Sequence, residues 1–307
     1  MRRTILQAAL VAASLGTGIA AQVFHGGTDV VLLSVTVTDG NGRHVPGLKR
    51  EDFRIFEDGV AQDISHFLDQ PAPVSLSLLL DTSASMDQEN KLILARQAAA
   101  GFIDHMGADD VAQLVDFDSQ VKILAPFTTE KDALRQALKA AKAGGSTSLY
   151  NALYTSLSDL RRQRSSDAGE AHRQAIVLLS DGEDTTSIVP YDDVLELAKR
   201  SEVTVYAIGV ITKDVGPSRG WNEAEFVLRT LTRDSGGRAF FIADPAQLAS
   251  IYIQISDELA NQYQIGYMSK NTKRDGTWRR INMQVLKGDA TPRTRAGYYA
   301  PSTPRSR

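Results

Sequence analysis

The spacing of apolar residues changes twice along the chain. Val31, Leu33, Val35 and Val37 alternate with Leu32, Ser34, Thr36 and Thr38, the period of a half-buried strand. Residues 53–56 then run into Glu57-Asp58-Gly59, a hairpin turn signal, and residues 64–68 read as the return strand. From residue 75 the alternation stops. Residues 75–80 are a β-compatible, mostly apolar run with no polar face, as expected of a central parallel strand covered on both sides. Leu92, Ala95, Ala99, Phe102, Ile103 and Met106 follow at spacings of three and four, a helical stripe that stops at Gly107.

Further elements continue in the same manner. Residues 111–117 and 121–124 form two short strands, close enough to be a hairpin at one sheet edge. Thr129 with Asp132 makes a capping box for a helix carrying Leu134, Leu138 and Ala141, which ends at Gly144-Gly145. Leu149, Leu153, Leu157 and Leu160 share a face of the next helix, and residues 165–171 are a polar loop. Residues 175–180 and 203–210 are buried strands. Asn222 with Glu225 caps a later helix, residues 238–242 are a last strand, and Asp244-Pro245 opens a helix through Leu248, Ile251, Ile255 and Leu259. Strands alternating with helices imply an α/β fold, a doubly wound and mostly parallel sheet, over residues 74–260.

Beyond residue 262 the period returns to two, at Tyr263, Ile265 and Tyr267, then Ile281, Met283 and Val285, then residues 295–299, with a hairpin turn at Asp275-Gly276. Residues 28–70 and 262–300 are each too small to bury much alone. They are expected to pack together as a small β-sandwich with the α/β domain inserted between them. Gln70-Pro71-Ala72-Pro73 is a stiff linker, and residues 301–307 a disordered tail.

Composition changes this picture in two ways. Residues 1–21 combine Arg2 and Arg3, an apolar run over residues 5–15 and a small-residue end at residues 16–21, the layout of a signal peptide cleaved near Ala20 or Ala21. The protein is therefore expected to be exported, to the periplasm or outside the cell, with no integral membrane span in the mature chain. The chain holds no Cys, so its stability comes from its core and not from disulfides. A formal net charge of −3 without a basic patch argues against nucleic acid or an anionic membrane as the main partner.

The candidate chemistry begins where residues 75–80 end. Asp81, Ser83 and Ser85 emerge beyond the carboxyl end of a strand, where open α/β sheets bind ligands. A carboxylate with alternate hydroxyls offers only hard oxygen ligands, which suits Mg²⁺ or Mn²⁺ and not Zn²⁺ or Cu²⁺. In isolation, a turn capping the next helix explains these residues equally well. Two later stretches shift the balance. Gly144-Gly145-Ser146-Thr147-Ser148-Leu149-Tyr150 places hydroxyls between two helices, and the strand at residues 175–180 ends in Asp181-Gly182-Glu183-Asp184. Three segments then present oxygen ligands at one sheet edge.

Here the sequence resembles the von Willebrand factor type A domain with its metal-ion-dependent adhesion site. Asp81-x-Ser83-x-Ser85 matches the first motif, Thr147 the lone threonine and Asp181 the final aspartate. The resemblance implies a Rossmann-like fold and an Mg²⁺ (or Mn²⁺) ion approached directly by the hydroxyls of Ser83, Ser85 and Thr147. Asp81 and Asp181 would lie nearby, often acting through water. It also implies a protein ligand that supplies an Asp or Glu to the metal. The layout of the whole chain, with its segments DGNGR, EDFRIFEDG and GYYAP, resembles bacterial secreted proteins related to this family.

The competing class is an Mg²⁺-dependent hydrolase or phosphotransferase. Such a site wants a basic clamp or a Gly-rich phosphate cradle, and residues 81–87 contain neither. A serine nucleophile needs a His base. His172 precedes its strand and so lies at the opposite sheet edge, His105 ends a helix, and His25, His44 and His66 belong to the first β segment or its leader. A structural envelope component whose metal only stiffens loops is a third class. The expectation is a non-enzymatic adhesion or scaffold module. Trp221 and Arg219, in a loop over residues 212–221, and Glu183 and Asp184 are its candidate partner contacts. A Trp that pins its own loop and a solvated acidic turn are the simpler readings of Trp221 and of the Glu183-Asp184 pair.

Overall fold

The computed structural model describes residues 30–70, 72–166, 172–210 and 219–302. The signal-peptide reading, residues 167–171 and 212–218 of the two expected loops and residues 303–307 of the expected tail lie outside these. Residues 301–302, also expected in that tail, are paired instead, Ser302 bridging to Asp275 and Pro301 O accepting from the Gly276 amide at 3.3 Å.

The central sheet contains β5 (Val74–Asp81), β6 (Val111–Phe117), β7 (Val121–Thr128), β8 (Arg173–Ser180), β9 (Thr204–Val210) and β10 (Ala239–Ile242) in the order β10-β9-β8-β5-β6-β7. All neighbours are parallel except the β6/β7 pair. All eight residues of β5 and of β8 are buried, because both faces are covered. Leu76, Leu78 and Leu80 pack with α1 (Lys91–His105), α2 (Lys131–Ala140) and α6 (Leu248–Ala260). Leu79 packs the other way, with α3 (Leu149–Ser166), α4 (Tyr191–Ser201) and α5 (Arg219–Ser235). The chain runs from β5 outward to β6 and β7, then returns to place β8 on the other side of β5. That reversal opens a crevice at the carboxyl ends of β5 and β8.

The flanking segments form two antiparallel four-stranded sheets. One has the order β13-β1-β11-β4, from β1 (Val30–Thr38), β4 (Ile64–Leu68), β11 (Tyr263–Met268) and β13 (Thr291–Arg293). The other has the order β14-β12-β2-β3, from β2 (Phe53–Glu57), β3 (Val60–Gln62), β12 (Trp278–Val285) and β14 (Gly297–Tyr299). Each sheet interleaves strands from both ends of the chain. Their facing sides share one core that includes Leu33, Val35, Phe53, Ile55, Ile265 and Tyr267.

Several local expectations are corrected. The return strand of the first hairpin is β3, not residues 64–68. β4 pairs instead with β11, which brings Phe67 against Phe53 and Tyr263 between the sheets. Asp275-Gly276 is not a hairpin turn between adjacent strands, since β11 and β12 lie in different sheets. Helix α4, with Val194 and Ala198 buried, lies in a stretch for which no helix was expected. Thr129 does not cap α2. Its N-cap is Glu130, whose amide donates to Thr128 Oγ1 at 3.0 Å. That helix stops at Ala140, ahead of Gly144-Gly145, and leaves the following residues extended toward the crevice. Helix α5 begins at Arg219, so Arg219 and Trp221 stand in its first turn and not in a loop, and Asn222 is inside it and not its cap.

Gly237 joins α5 to β10 with no room for a side chain. A Cβ there would stand 1.8 Å from the Val205 carbonyl oxygen and 2.6 Å from its carbon. Backbone in the middle of the sheet cannot yield as a flexible side chain does. Gly237→Ala is expected to cost at least the upper end of the usual overpacking penalty, about 3 kcal/mol, read as a lowered midpoint in urea unfolding.

Candidate functional site

Asp81 is the last residue of β5 and is fully buried. Its Oδ1 accepts from the Ser83 amide at 2.8 Å and its Oδ2 from Ser180 Oγ at 2.5 Å. The chain then turns through a short 3₁₀ segment starting at Ala84. That turn brings Ser83 Oγ within 3.0 Å of Ser85 Oγ, and Ser85 Oγ donates to Asp181 Oδ1 at 2.7 Å. One unbroken set of contacts therefore links Ser83, Ser85 and Asp181, with Asp81 tied in through its bond to the Ser83 amide. It lies at the mouth of the crevice between β5 and β8.

Thr147 reaches the same place through backbone bonds. Gly144 N–H donates to Thr82 O at 2.8 Å and Ala84 N–H to Gly145 O at 3.0 Å, which fastens the 144–147 loop to the first motif. Gly145 has φ +72°, and a Cβ there would meet Ser119 Oγ at 2.5 Å, so this approach needs glycine. The Thr147 amide donates to Thr185 Oγ1 at 2.9 Å, and its carbonyl accepts from the amides of Thr185 and Thr186 at 2.9 and 3.2 Å. Thr147 Oγ1 comes within 3.8 Å of the position a Cβ on Gly182 would take, beside Asp181.

Burial pushes the Asp81 carboxyl up to about 6, against the hydrogen bonds from Ser180 and Ser83, and the nearby Asp181 charge adds to the rise. Two carboxylates held close in a dry crevice favour a neighbouring cation. Among the described residues no group of three or more His, Cys, Asp or Glu side chains is placed to hold a metal. The donors here are two carboxylates with Ser and Thr hydroxyls, hard oxygens that fit Mg²⁺ or Mn²⁺.

One residue at the site was not anticipated. Lys91, the first residue of α1, has a side chain only 1% exposed and places Nζ 2.7 Å from Asp181 Oδ2. It lies four residues before Ala95 and seven before Ala98 on the buried stripe of α1. That spacing was a signal in the sequence, but a Lys at a helix start reads as solvent-facing. Ser180, at the end of β8, also belongs to the site, since its hydroxyl donates to Asp81.

The other candidates separate. Glu183 is exposed beside the crevice. Asp184 is half-buried and engaged internally: Oδ1 accepts from the Tyr150 amide at 3.1 Å and from Ser187 Oγ at 2.5 Å, and Oδ2 from the Ser187 amide at 3.2 Å. It pins the loop after β8 to the start of α3. The side chains of Arg219 and Trp221 lie outside the described residues. His172 Nδ1 is 3.3 Å from Ser75 Oγ, near the start of β5. At the rise of a strand that is about 20 Å from Asp81. His105 Nδ1 is bound to Gly101 O at 2.7 Å. Neither is placed to serve a serine at the crevice.

Residues 76–254 match the family model of the von Willebrand factor type A domain. The chain belongs to this family. The family is one of metal-binding adhesion and scaffold modules, mainly non-enzymatic, whose members bind protein partners. An uncharacterised protein of Borreliella burgdorferi is 26% identical over 214 residues, covering 65% of this chain and 59% of that protein. Another, of Synechocystis sp., is 27% identical over 198 residues, covering 63% of this chain and 43% of that protein. The chain thus spans about half the length of these relatives. A solved von Willebrand factor type A protein from Catenulispora acidiphila superposes with a TM-score of 0.52 at 15% identity, over 83% of this chain and 74% of that one, a likeness of fold. Among the described residues no helix is long and apolar enough to cross a membrane.

Proposed function

We propose that this chain is an exported, non-enzymatic protein-binding module. It holds Mg²⁺ or Mn²⁺ with Ser83, Ser85 and Thr147 directly and with Asp81 and Asp181 close by. An Asp or Glu of a partner protein completes the metal shell. The observation that carries this reading is the convergence of two carboxylates and neighbouring hydroxyls from three chain segments at the switch point of the sheet. A metal held largely by neutral hydroxyls keeps its positive field and remains a good acceptor for an outside carboxylate. Glu183, in the loop after β8, and Arg219 and Trp221, in the first turn of α5, are proposed to border that open position, because residues outside the sheet can set specificity without being needed for it.

The enzyme reading is weaker on this geometry. Among the described residues no His reaches the crevice, and the basic group in contact with Asp181, Lys91, is buried against it where a substrate cannot touch it. A calorimetric titration tests the reading. The wild type is expected to bind Mg²⁺ or Mn²⁺ with one site, and Asp81→Ala to show no binding heat. A partner isolated in Mg²⁺ should be released by chelator and by Asp181→Ala. Turnover of a phosphoester, ester or peptide that Asp81→Ala abolishes would overturn the proposal.

A further inference from the structure

We propose that Lys91 is a built-in cation that holds the carboxylates of this site together without metal and keeps the affinity for divalent ions low. The inference rests on the metal reading above and concerns how that site is regulated.

An ammonium is an unfavourable choice for the position Lys91 occupies. It opens α1, where the positive end of the helix dipole repels a cation, and its side chain is 1% exposed, so its charge is taken out of water. The arrangement persists because Asp181, itself fully buried at the side chain, accepts from Nζ at 2.7 Å. Asp181 in turn is joined to Asp81 through Ser85 Oγ, Ser83 Oγ and the Ser83 amide, so the two carboxylates belong to one cluster. The lysine therefore balances part of the negative charge that a bound divalent ion would otherwise balance.

Two consequences follow from the same contact. Without metal, Lys91 Nζ and Ser85 Oγ each occupy one oxygen of Asp181, so part of the crevice's negative charge is balanced before any ion arrives. With metal, a fixed positive charge would remain on Asp181, the carboxylate proposed to stand beside the ion, and would oppose the ion's binding. Such a site fills and empties with the surrounding divalent concentration instead of keeping one ion permanently. Partner capture at the open position would then follow that concentration.

The test compares the wild-type mature chain with Lys91→Met, Lys91→Gln and Lys91→Arg. MnCl₂ is titrated in while the spin-resonance signal of free Mn²⁺ is followed, and thermal melts are run in chelator and in Mn²⁺. The two neutral variants are expected to bind Mn²⁺ about tenfold tighter or more, and Lys91→Arg to bind like wild type. In chelator the neutral variants should melt lower by about 5–15 °C, as a buried carboxylate loses its partner, with the loss recovered in Mn²⁺. Neutral variants that are unfolded in chelator but fold in Mn²⁺ support the proposal equally. So does a wild type that binds no Mn²⁺ beside neutral variants that do.

The proposal fails, with the metal reading intact, if wild type binds Mn²⁺ and the neutral variants bind it no tighter. It also fails if they stay unfolded in both conditions, since the lysine would then serve a purpose other than charge balance. If neither wild type nor any variant binds Mn²⁺, both readings fall.

Discussion

Deleting residues 262–307 is expected to leave the N-terminal strands open to protease while the α/β unit stays protected. The deletion removes β11 and β13, the two neighbours of β1, and β12, the neighbour of β2. β4 loses β11 as well. What remains of the flank is the β2/β3 hairpin, and an isolated two-stranded hairpin is marginal in water. Val31, Leu33, Val35 and Val37, all buried in the intact protein, would face solvent. The α/β unit keeps both of its own helix layers. It loses some edge support, including the Arg293 contact to the buried Glu258 and the Tyr299 hydroxyl bond to Glu196 at 2.6 Å. Its melting temperature should therefore drop without the unit unfolding at room temperature. Limited proteolysis read by mass spectrometry gives the answer. Protection of residues 30–70 in the truncated protein would mean that the two flanks fold independently.

Glu57→Ala is the point substitution expected to damage the flanking unit most. Glu57 is 2% exposed, yet it gathers the Tyr267 and Tyr298 hydroxyls at 2.9 Å each, Ser269 Oγ at 2.6 Å and the Arg279 guanidinium at 3.3 Å. Arg279 is equally buried. Removing the carboxylate leaves a guanidinium and two phenols in the interior with their charge and donors poorly matched. Breaking a buried pair in this way costs about 3–5 kcal/mol. Glu57→Gln keeps one acceptor oxygen and should cost less. Denaturant unfolding followed by the fluorescence of Trp278 in β12 measures both. A loss below about 1 kcal/mol for Glu57→Ala would show that Arg279 escapes to water, as exposed pairs contribute no more than that.

The same cluster explains why pairing in the flanks was hard to read from sequence. Glu57 comes from the first flank, while Tyr267, Ser269, Arg279 and Tyr298 come from the second, more than 200 positions away. Nothing near Glu57 marks it as interior. In sequence it belongs to Glu57-Asp58-Gly59, a polar turn, and the turn is indeed there, with Gly59 at φ +84°. Period-two spacing assigns the faces of a strand but says nothing about its partner. That is why the strand at residues 64–68 was assigned to the neighbouring hairpin when it belongs to the opposite sheet.

By contrast, the α/β unit was legible because its signals are local. Runs such as residues 75–80 have no polar face, so they read as strands covered on both sides, and the stripe of α1 closes at Gly107 within a residue or two of its observed end. Helix α4 escaped because its apolar residues stand among acidic and basic ones over only 11 positions. The side chains gathered at the crevice divide along the same line. Asp81, Ser83 and Ser85 sit on one turn and Asp181 follows a strand of obvious kind, so sequence alone put these oxygen-bearing side chains at one sheet edge. Only the folded chain brings Ser85 Oγ to Asp181 and ties the 144–147 loop across both. Only it buries Lys91 against the same carboxylate, because the energy of an ion pair depends on distance and burial, and neither is written into residue spacing.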